Sequence, residues 1–192
     1  MEVDRKNVLL GITGSVAAVK AVELVSCLTQ SNFNVQVVAT KGACNFFDKS
    51  QIEVPVYVDA DEYASWKKRG DPVLHIQLRD WADVFLIAPL SANTLAKIAG
   101  GLCDNLLTCV ARAWYFARTA PDHPRKVGIF APAMNTSMWE SPLTSSQVDT
   151  LCNTLNWTMI DPIHKTLMCG DFGQGAMEEP HRIVEFVHNL KL

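Results

Sequence analysis

Residues 84–101, VFLIAPLSANTLAKIAGG, decide the fold. The first seven are an unbroken apolar run, the pattern expected of a strand that is buried on both faces of a sheet. Short polar residues follow, and then apolar positions recur at helical spacing. A buried strand that passes directly into a helix is typical of a parallel sheet covered by helices.

The same pattern recurs along the chain. Further apolar runs occupy residues 7–13, 34–40, 126–133 and 157–162, and helical periodicity occupies 15–30, 92–117 (with a glycine break) and 178–192. The sequence therefore predicts one α/β domain over residues 1–192, with a doubly wound parallel sheet of the flavodoxin or Rossmann-like type. The polar segments 59–72 and 118–126 are predicted to be surface connections.

Composition narrows the classes of function. Seventeen Lys and Arg against 20 Asp and Glu give a net charge of −3, without a basic stripe that would favour nucleic acid or a membrane surface. The first apolar run is too short for a signal peptide or a membrane span, so we expect a cytoplasmic protein. Six cysteines lack the spacing of a zinc site, and we expect reduced thiols and no metal.

The candidate site follows the strands, because ligands of an open parallel sheet bind beyond the strands' carboxyl ends. After the first strand, Gly11 and Gly14 permit a tight turn, and Ser15 opens a helix whose N–H groups can hold a phosphate. Neither the dinucleotide fingerprint nor the Walker P-loop is present. Thr40 and Lys41, after the second strand, suit an anion better than a ribose diol. A mononucleotide with one phosphate is predicted, with a plain strand-to-helix turn as the alternative.

Two other strand ends carry polar side chains. Ser91, Asn93 and Thr94 stand together at a predicted helix start, where capping alone explains one of them. Asn135 follows the next strand and offers both a donor and an acceptor, after small residues that let a flat group approach. These two ends extend the predicted ligand site.

Two residues have several interpretations. The alternation in residues 74–79 has a period of two and puts His75 on a polar face, where both a structural and a catalytic role are open. Cys169, in the glycine-rich LMCGDFGQGAM, could be a metal ligand, a nucleophile, a redox thiol, a proton donor or an apolar filler. The other cysteines, at 27, 44, 103, 109 and 152, are predicted to be small buried side chains.

Four blocks closely resemble the flavin-containing cysteine decarboxylases. They are GSVAAVK, DPVLHIQLRDWADVFLIAPLSANTLAKIAGGLCDNLLTCVARAW, APAMNTSMW and CGDFGQGAM, and they run in the family's order across nearly the whole chain. The resemblance implies FMN as cofactor, the small molecule phosphopantothenoylcysteine as substrate, and a homotrimer with each active site at a subunit boundary.

The resemblance also implies roles for individual residues. Asn135 would bind the substrate carboxylate, His75 would be the catalytic base acting on FMN held largely by a neighbouring subunit, and Cys169 would be the acid. The implied FMN contacts are Gly14, Ser15, Val16, Thr40, Ser91, Ala92, Asn93, Thr94 and Ala133.

The implied reaction is decarboxylation to 4'-phosphopantetheine and CO2 in coenzyme A biosynthesis. The acylated nitrogen of this substrate cannot form a Schiff base, so flavin would create the electron sink by oxidising the carbon that bears sulfur to a thioaldehyde. Decarboxylation would give an enethiol, which is then reduced with a proton from Cys169, since a thiol of pKa about 8.5 is largely protonated at neutral pH. A regulatory, phosphatase-inhibitory flavoprotein and a peptidyl-cysteine decarboxylase are the alternatives.

Two segments depart from the family pattern. Thr166 and Leu167 stand where the family often has a basic residue, which leaves Lys165 as the candidate for contacts to the substrate tail. Residues 115–128 are predicted to be a loop extension. The glycines beside Cys169 are interpreted as hinges of a flap over residues 166–177.

Overall fold

Six parallel strands form the central sheet, in the order β3-β2-β1-β4-β5-β6. The structure is a computed structural model that describes residues 5–64, 66–115, 126–166, 170 and 172–190. The strands are β1 (Asn7–Ile12), β2 (Asn34–Ala39), β3 (Val56–Tyr57), β4 (Val84–Leu90), β5 (Val127–Pro132) and β6 (Thr158–Met159). The predicted doubly wound parallel sheet is confirmed.

Helices cover both faces of this sheet. They are α1 (Ala21–Gln30), α2 (Asp59–Ala64), α3 (Leu74–Trp81), α4 (Ala92–Ala99), α5 (Leu106–Ala113), α6 (Thr136–Trp139), α7 (Pro142–Asp149) and α8 (Pro180–His188). An antiparallel pair, β7 (Ile163–Thr166) and β8 (Phe172–Ala176), precedes α8. No helix among the described residues is long and apolar enough to cross a membrane.

Two apolar cores explain the continuous apolar strands. Leu10 and Leu86 pack on the face covered by α1 and α8, whereas Leu9 and Phe85 pack on the face covered by α3, α4 and α5. All seven residues of β4 are buried. Because successive side chains point to opposite faces, a strand between two cores must be apolar at every position.

Residues 74–79 are not the alternating segment that the sequence predicts. They lie in α3, where Leu74 and Leu78 are buried and Ile76 is only partly buried. Both an alternating strand and a helix would bury positions 74 and 78. Only the strand would also bury Ile76, so this residue alone distinguishes the two patterns. His75 is consequently in the first turn of a helix.

Other boundaries also differ from the prediction. Residues 59–64 of the predicted connection form α2, and the β7–β8 pair was not expected. The first predicted helix begins with a 3-10 segment, Val16–Lys20, before α1. Most of the predicted loop extension, residues 116–125, lies outside the described residues.

Candidate active site

The residues that follow β1, β2, β4 and β5 lie at one edge of the sheet. We name them the strand-end group, and its members are residues 13–16, 40, 91–94 and 133–135. The strand order reverses between β1 and β4, which is the point where open α/β sheets bind ligands. The topology therefore brings all nine predicted cofactor contacts to one edge of the sheet.

Thr13 joins the ends of the two central strands. Its hydroxyl donates to the Pro89 carbonyl oxygen at 2.7 Å and accepts the Ser91 N–H at 2.7 Å. The side chain is fully buried, so both bonds are shielded from water. The Ala133 N–H likewise donates to the Leu90 carbonyl oxygen at 2.9 Å, which ties β5 to β4. Sequence analysis missed Thr13, although a hydroxyl directly after a buried strand was the available signal.

The turn after β1 packs closely on the turn after β2. A Cβ on Gly14 would lie 3.3 Å from backbone atoms of Gly42, a contact tight enough that one of the two turns would have to shift by a few tenths of an ångström. Ser15 caps the 3-10 segment through the Ala17 N–H. The Ala18 N–H donates to the Ser15 carbonyl oxygen and the Ser15 N–H donates to the Thr13 carbonyl oxygen. The N-terminal end of a helix is a typical place for an anion. Thr40 is buried beside this turn.

The turn after β4 has the same polar and buried character. Ser91 caps α4 by accepting the Thr94 N–H, and its hydroxyl donates to the Thr94 hydroxyl at 3.3 Å. Asn93 is exposed and Ala92 is partly buried. Of the six buried polar side chains in the described part of the chain, Thr13, Thr40, Ser91 and Thr94 belong to the strand-end group. Buried polar side chains are uncommon and are hydrogen-bonded here, so their concentration makes this edge the candidate functional site.

Asn135 is held by α6 and covered by β8. Its side-chain oxygen accepts the Ser137 N–H at 2.8 Å, and the preceding Met134 N–H donates to the Gly175 carbonyl oxygen at 2.9 Å. A Cβ on Gly175, whose φ is +136°, would lie 2.5 Å from the Met134 carbonyl oxygen, and one on Gly173 would lie 2.6 Å from the Thr136 hydroxyl. Both glycines are therefore needed for close packing on the Asn135 segment.

Cys169 lies outside the described residues, as do residues 167, 168 and 171. Its role and the flap over residues 166–177 stay predictions. The packing of the Gly173 and Gly175 backbone on α6 gives these two glycines a role that does not depend on hinge motion.

His75 is paired with a carboxylate. Its Nδ1 lies 2.5 Å from Glu62 Oε1, and its backbone N–H donates to Glu62 Oε2 at 3.2 Å. The His75 and Glu62 side chains are 25% and 12% exposed. Sequence analysis missed Glu62, because it lies thirteen positions earlier in a segment predicted to be a surface connection. No hydrogen bond between described residues joins His75 to the strand-end group.

An ion-pair cluster connects the end of the 3-10 segment Val16–Lys20 to the β7–β8 pair. Glu179, the residue before α8, accepts hydrogen bonds from Lys20 and Lys165, which hold the pKa of its carboxyl below the ordinary 4.5. Lys165, the candidate for the substrate tail, therefore has a carboxylate partner within the chain. The distance from its Nζ to Glu179 Oε1 is 3.1 Å.

The cysteines within the described part of the chain are free thiols. Burial raises the pKa of Cys109 to about 11 and also raises the pKa of Cys152, as expected of packing residues rather than reactive thiolates. The prediction that these five cysteines are buried is wrong. Cys103 is exposed because it lies in the connection between α4 and α5, and the others are only partly buried: Cys27, Cys44, Cys109 and Cys152. Within the described ranges, no three His, Cys, Asp or Glu side chains are grouped to hold a metal ion.

Comparisons with known proteins identify the family. A family model described as "Flavoprotein" matches residues 1–191. Phosphopantothenoylcysteine decarboxylase of Arabidopsis thaliana is 51% identical over 185 residues, which cover 95% of this chain and 84% of the relative. The chain belongs to the phosphopantothenoylcysteine decarboxylase family of flavoproteins.

Two solved structures of similar proteins support the family assignment. One is a cysteine-to-serine mutant of PPC decarboxylase complexed with pantothenoylaminoethenethiol, which is 52% identical with a TM-score of 0.87 and covers 95% of this chain and 96% of its own. The other, described as the FMN binding protein AtHal3, is 52% identical with a TM-score of 0.85 and covers 95% of each chain.

Proposed function

We propose that this chain is an FMN-dependent phosphopantothenoylcysteine decarboxylase that supplies 4'-phosphopantetheine for coenzyme A biosynthesis. The observation that carries the proposal is the set of buried hydroxyls at the edge of the sheet where the strand order reverses between β1 and β4, in a chain half identical to relatives that bear this name. A crevice at the point where strand order reverses is the expected place for a nucleotide cofactor.

The strand-end group fits a flavin mononucleotide. Gly14, Ser15 and Val16 would hold one phosphate at the turn where Gly14 packs on the backbone of Gly42. The Ser15 N–H donates to the Thr13 carbonyl oxygen at 2.8 Å and would exchange this bond for one to the phosphate. Thr40 and Ser91, with Ala92, Asn93 and Thr94, would line the rest of the cofactor. The small, buried Ala133 would lie against the ring system. When bound, FMN would supply a group that accepts a hydride from the substrate and gives the hydride back later in the reaction.

The chain's own residues would manage the substrate and its protons. Asn135 would hold the substrate carboxylate, since its segment is fixed by α6 and β8. His75 would remove the proton from the substrate as oxidation begins. Cys169 would protonate the carbon next to the reduced position at the end of the reaction.

We further propose that the protein is a homotrimer in the cytoplasm, with His75 acting on the strand-end group of a neighbouring subunit. Val16 and Val19, in the 3-10 segment after β1, are 41% and 57% exposed. These apolar side chains would be covered by a neighbouring subunit or by the cofactor.

The decisive experiment combines cofactor and product analysis. Protein purified without added flavin should be yellow, contain FMN, and release CO2 from phosphopantothenoylcysteine with formation of phosphopantetheine. A colourless protein that cannot be reconstituted with FMN, or a yellow protein that releases no CO2, would overturn the proposed function.

Cys169→Ser tests the last step of the reaction. We expect this variant to keep FMN and CO2 release but to accumulate an enethiol in place of phosphopantetheine, as measured by mass spectrometry of the products. The cysteine-to-serine mutant relative complexed with pantothenoylaminoethenethiol supports this expectation, because this ligand is an unreduced enethiol. If Cys169→Ser formed phosphopantetheine at the normal rate, Cys169 would not be the acid of the last step.

A further inference from the structure

The carboxylates of α2 make three separate contacts. Asp61 accepts the Val58 N–H at 2.8 Å, and Asp59 accepts the Leu106 N–H at the start of α5 at 3.0 Å. Glu62 accepts two bonds from His75 on α3. We name residues 58–62 together with His75 the brace. It fixes α2 to the start of α5 and to the first turn of α3.

We propose that Glu62 is the positioning residue of His75 and holds it as the tautomer whose Nε2 is free to accept a proton. This inference rests on the proposed function, in which His75 is the base. A carboxylate can only accept hydrogen bonds, so Nδ1 must carry the hydrogen at a separation of 2.5 Å. The lone pair then lies on Nε2, at the other side of the ring.

Two contacts to one carboxylate also restrict the orientation of the ring. Glu62 Oε2 is bonded to the backbone N–H of His75, and Oε1 is bonded to its side chain. The carboxylate is therefore fixed relative to the helix from which the ring projects, and rotation of the ring would break the bond at Nδ1. Preorganisation of this kind favours a base that must be aligned with a substrate proton.

The pair also matches the charge that His75 would acquire. When Nε2 takes a proton, the ring becomes an imidazolium beside a carboxylate that is only 12% exposed. Opposite charges in such surroundings attract more strongly than in water. The same division of roles, in which a base is oriented by an acidic partner, recurs in unrelated enzymes.

Neighbouring ionisable groups do not share this contact. Asp59 and Asp61 of α2 are bonded to backbone N–H groups, and Arg79, one turn along α3, is bonded to Asp80. Cys109 of α5 is near Glu62, but burial raises its thiol pKa to about 11 and keeps it neutral. Among the described residues, Glu62 is the carboxylate in hydrogen-bond contact with the His75 ring.

The test compares Glu62→Gln with Glu62→Asp and with Glu53→Gln as the matched control. Glu53 is exposed and lies outside the brace, and its substitution removes the same charge. Two quantities are measured on the FMN-loaded protein: the rate constant of anaerobic flavin bleaching by phosphopantothenoylcysteine, and the 15N shifts of the His75 ring nitrogens, assigned with His75→Asn.

We expect the wild-type spectrum to show hydrogen on Nδ1. Glu62→Gln should shift this signal toward a mixture of tautomers and lower the bleaching rate constant by about 10- to 100-fold. Glu62→Asp should keep the tautomer and recover part of the rate, because it remains a pure acceptor. Glu53→Gln should match the wild type in both measurements.

Two results would overturn the inference. One is a wild-type His75 with hydrogen on Nε2, which the spectrum reports whether or not the protein turns over this substrate. The other is an active wild type whose bleaching rate is unchanged by Glu62→Gln. Failure of the proposed function is distinguishable from both, because the wild type itself would then bind no FMN or leave it oxidised with substrate.

Discussion

The strand-end group and the brace are built in different ways. The strand-end group is held by the sheet, and the Thr13 hydroxyl bonds two backbone groups across the β1–β4 boundary. The brace depends on single carboxylates that reach across to other elements. A site made from backbone at strand ends inherits its geometry from the fold, whereas a site made from side-chain pairs can lose it through one substitution. Four substitutions examine that contrast.

His75→Asn should have the largest effect and should separate the two regions. We expect the rate of substrate-dependent flavin bleaching to fall by about 10²- to 10⁴-fold, which is the usual contribution of a general base. The FMN content, measured by absorbance after gel filtration, should stay at the wild-type level, because the strand-end group is untouched. Bleaching at the wild-type rate would remove His75 from the reaction.

Thr13→Val should damage the strand-end group from within. The substitution keeps the shape of the side chain but leaves the Ser91 N–H without its bond in a fully buried place. The Pro89 carbonyl oxygen loses the hydroxyl and keeps only the Thr13 backbone N–H, at 3.3 Å. We expect the free energy of unfolding in urea to fall by about 2–4 kcal/mol, with weaker retention of FMN. Thr13→Ser keeps the hydroxyl and is the control. Equal stability of the Val and Ser variants would contradict the role of these bonds.

The sequence predicted the residues of the strand-end group better than those of the brace. Apolar runs located β1, β4 and β5, and the polar residues after them followed from the rule that ligands bind at the carboxyl ends of strands. The hydrogen bonds of Thr13 could not be predicted, because its partners are 76 and 78 positions away. His75 came from family resemblance, while its local pattern gave the wrong structure.

Glu62 shows why the rest was out of reach. Its contact with His75 depends on α2, and α2 lies in a polar segment without apolar periodicity. Residues 59–64 contain no buried side chain, so no hydrophobic pattern could reveal the helix. The close packing of Gly175 on Met134 was hidden for another reason, since a glycine that serves a turn and one that serves a close approach are identical in sequence.

Gly175→Ala should have an intermediate effect on the strand-end group. The new Cβ would overlap the Met134 carbonyl and displace the segment that carries Asn135. Gly170→Ala is the matched control, because φ is also positive at Gly170 but no atom of the described residues lies within 4 Å of its added Cβ. We expect the free energy of unfolding of Gly175→Ala to be about 1–3 kcal/mol lower than that of Gly170→Ala. It should also have a raised KM for substrate. Equal losses in the two variants would assign the effect to backbone strain alone.

Glu179→Gln should have the smallest effect, since it removes an exposed charge rather than a buried bond. Hydrogen bonds from Lys20 and Lys165 lower the pKa of the Glu179 carboxyl in the folded protein, so its stabilising contribution is complete above pH 4.5 and is lost as the pH falls through the lowered pKa. The Glu179 side chain is 34% exposed, and at pH 7 we expect a difference in unfolding free energy of about 0.2–1 kcal/mol. The wild type and the variant should converge in acid or in high salt. If Glu179→Gln lowered the free energy of unfolding as much as Thr13→Val, the 3-10 segment Val16–Lys20 would depend on this charge cluster as much as on the buried backbone bonds. The contrast between the two kinds of site would then fail.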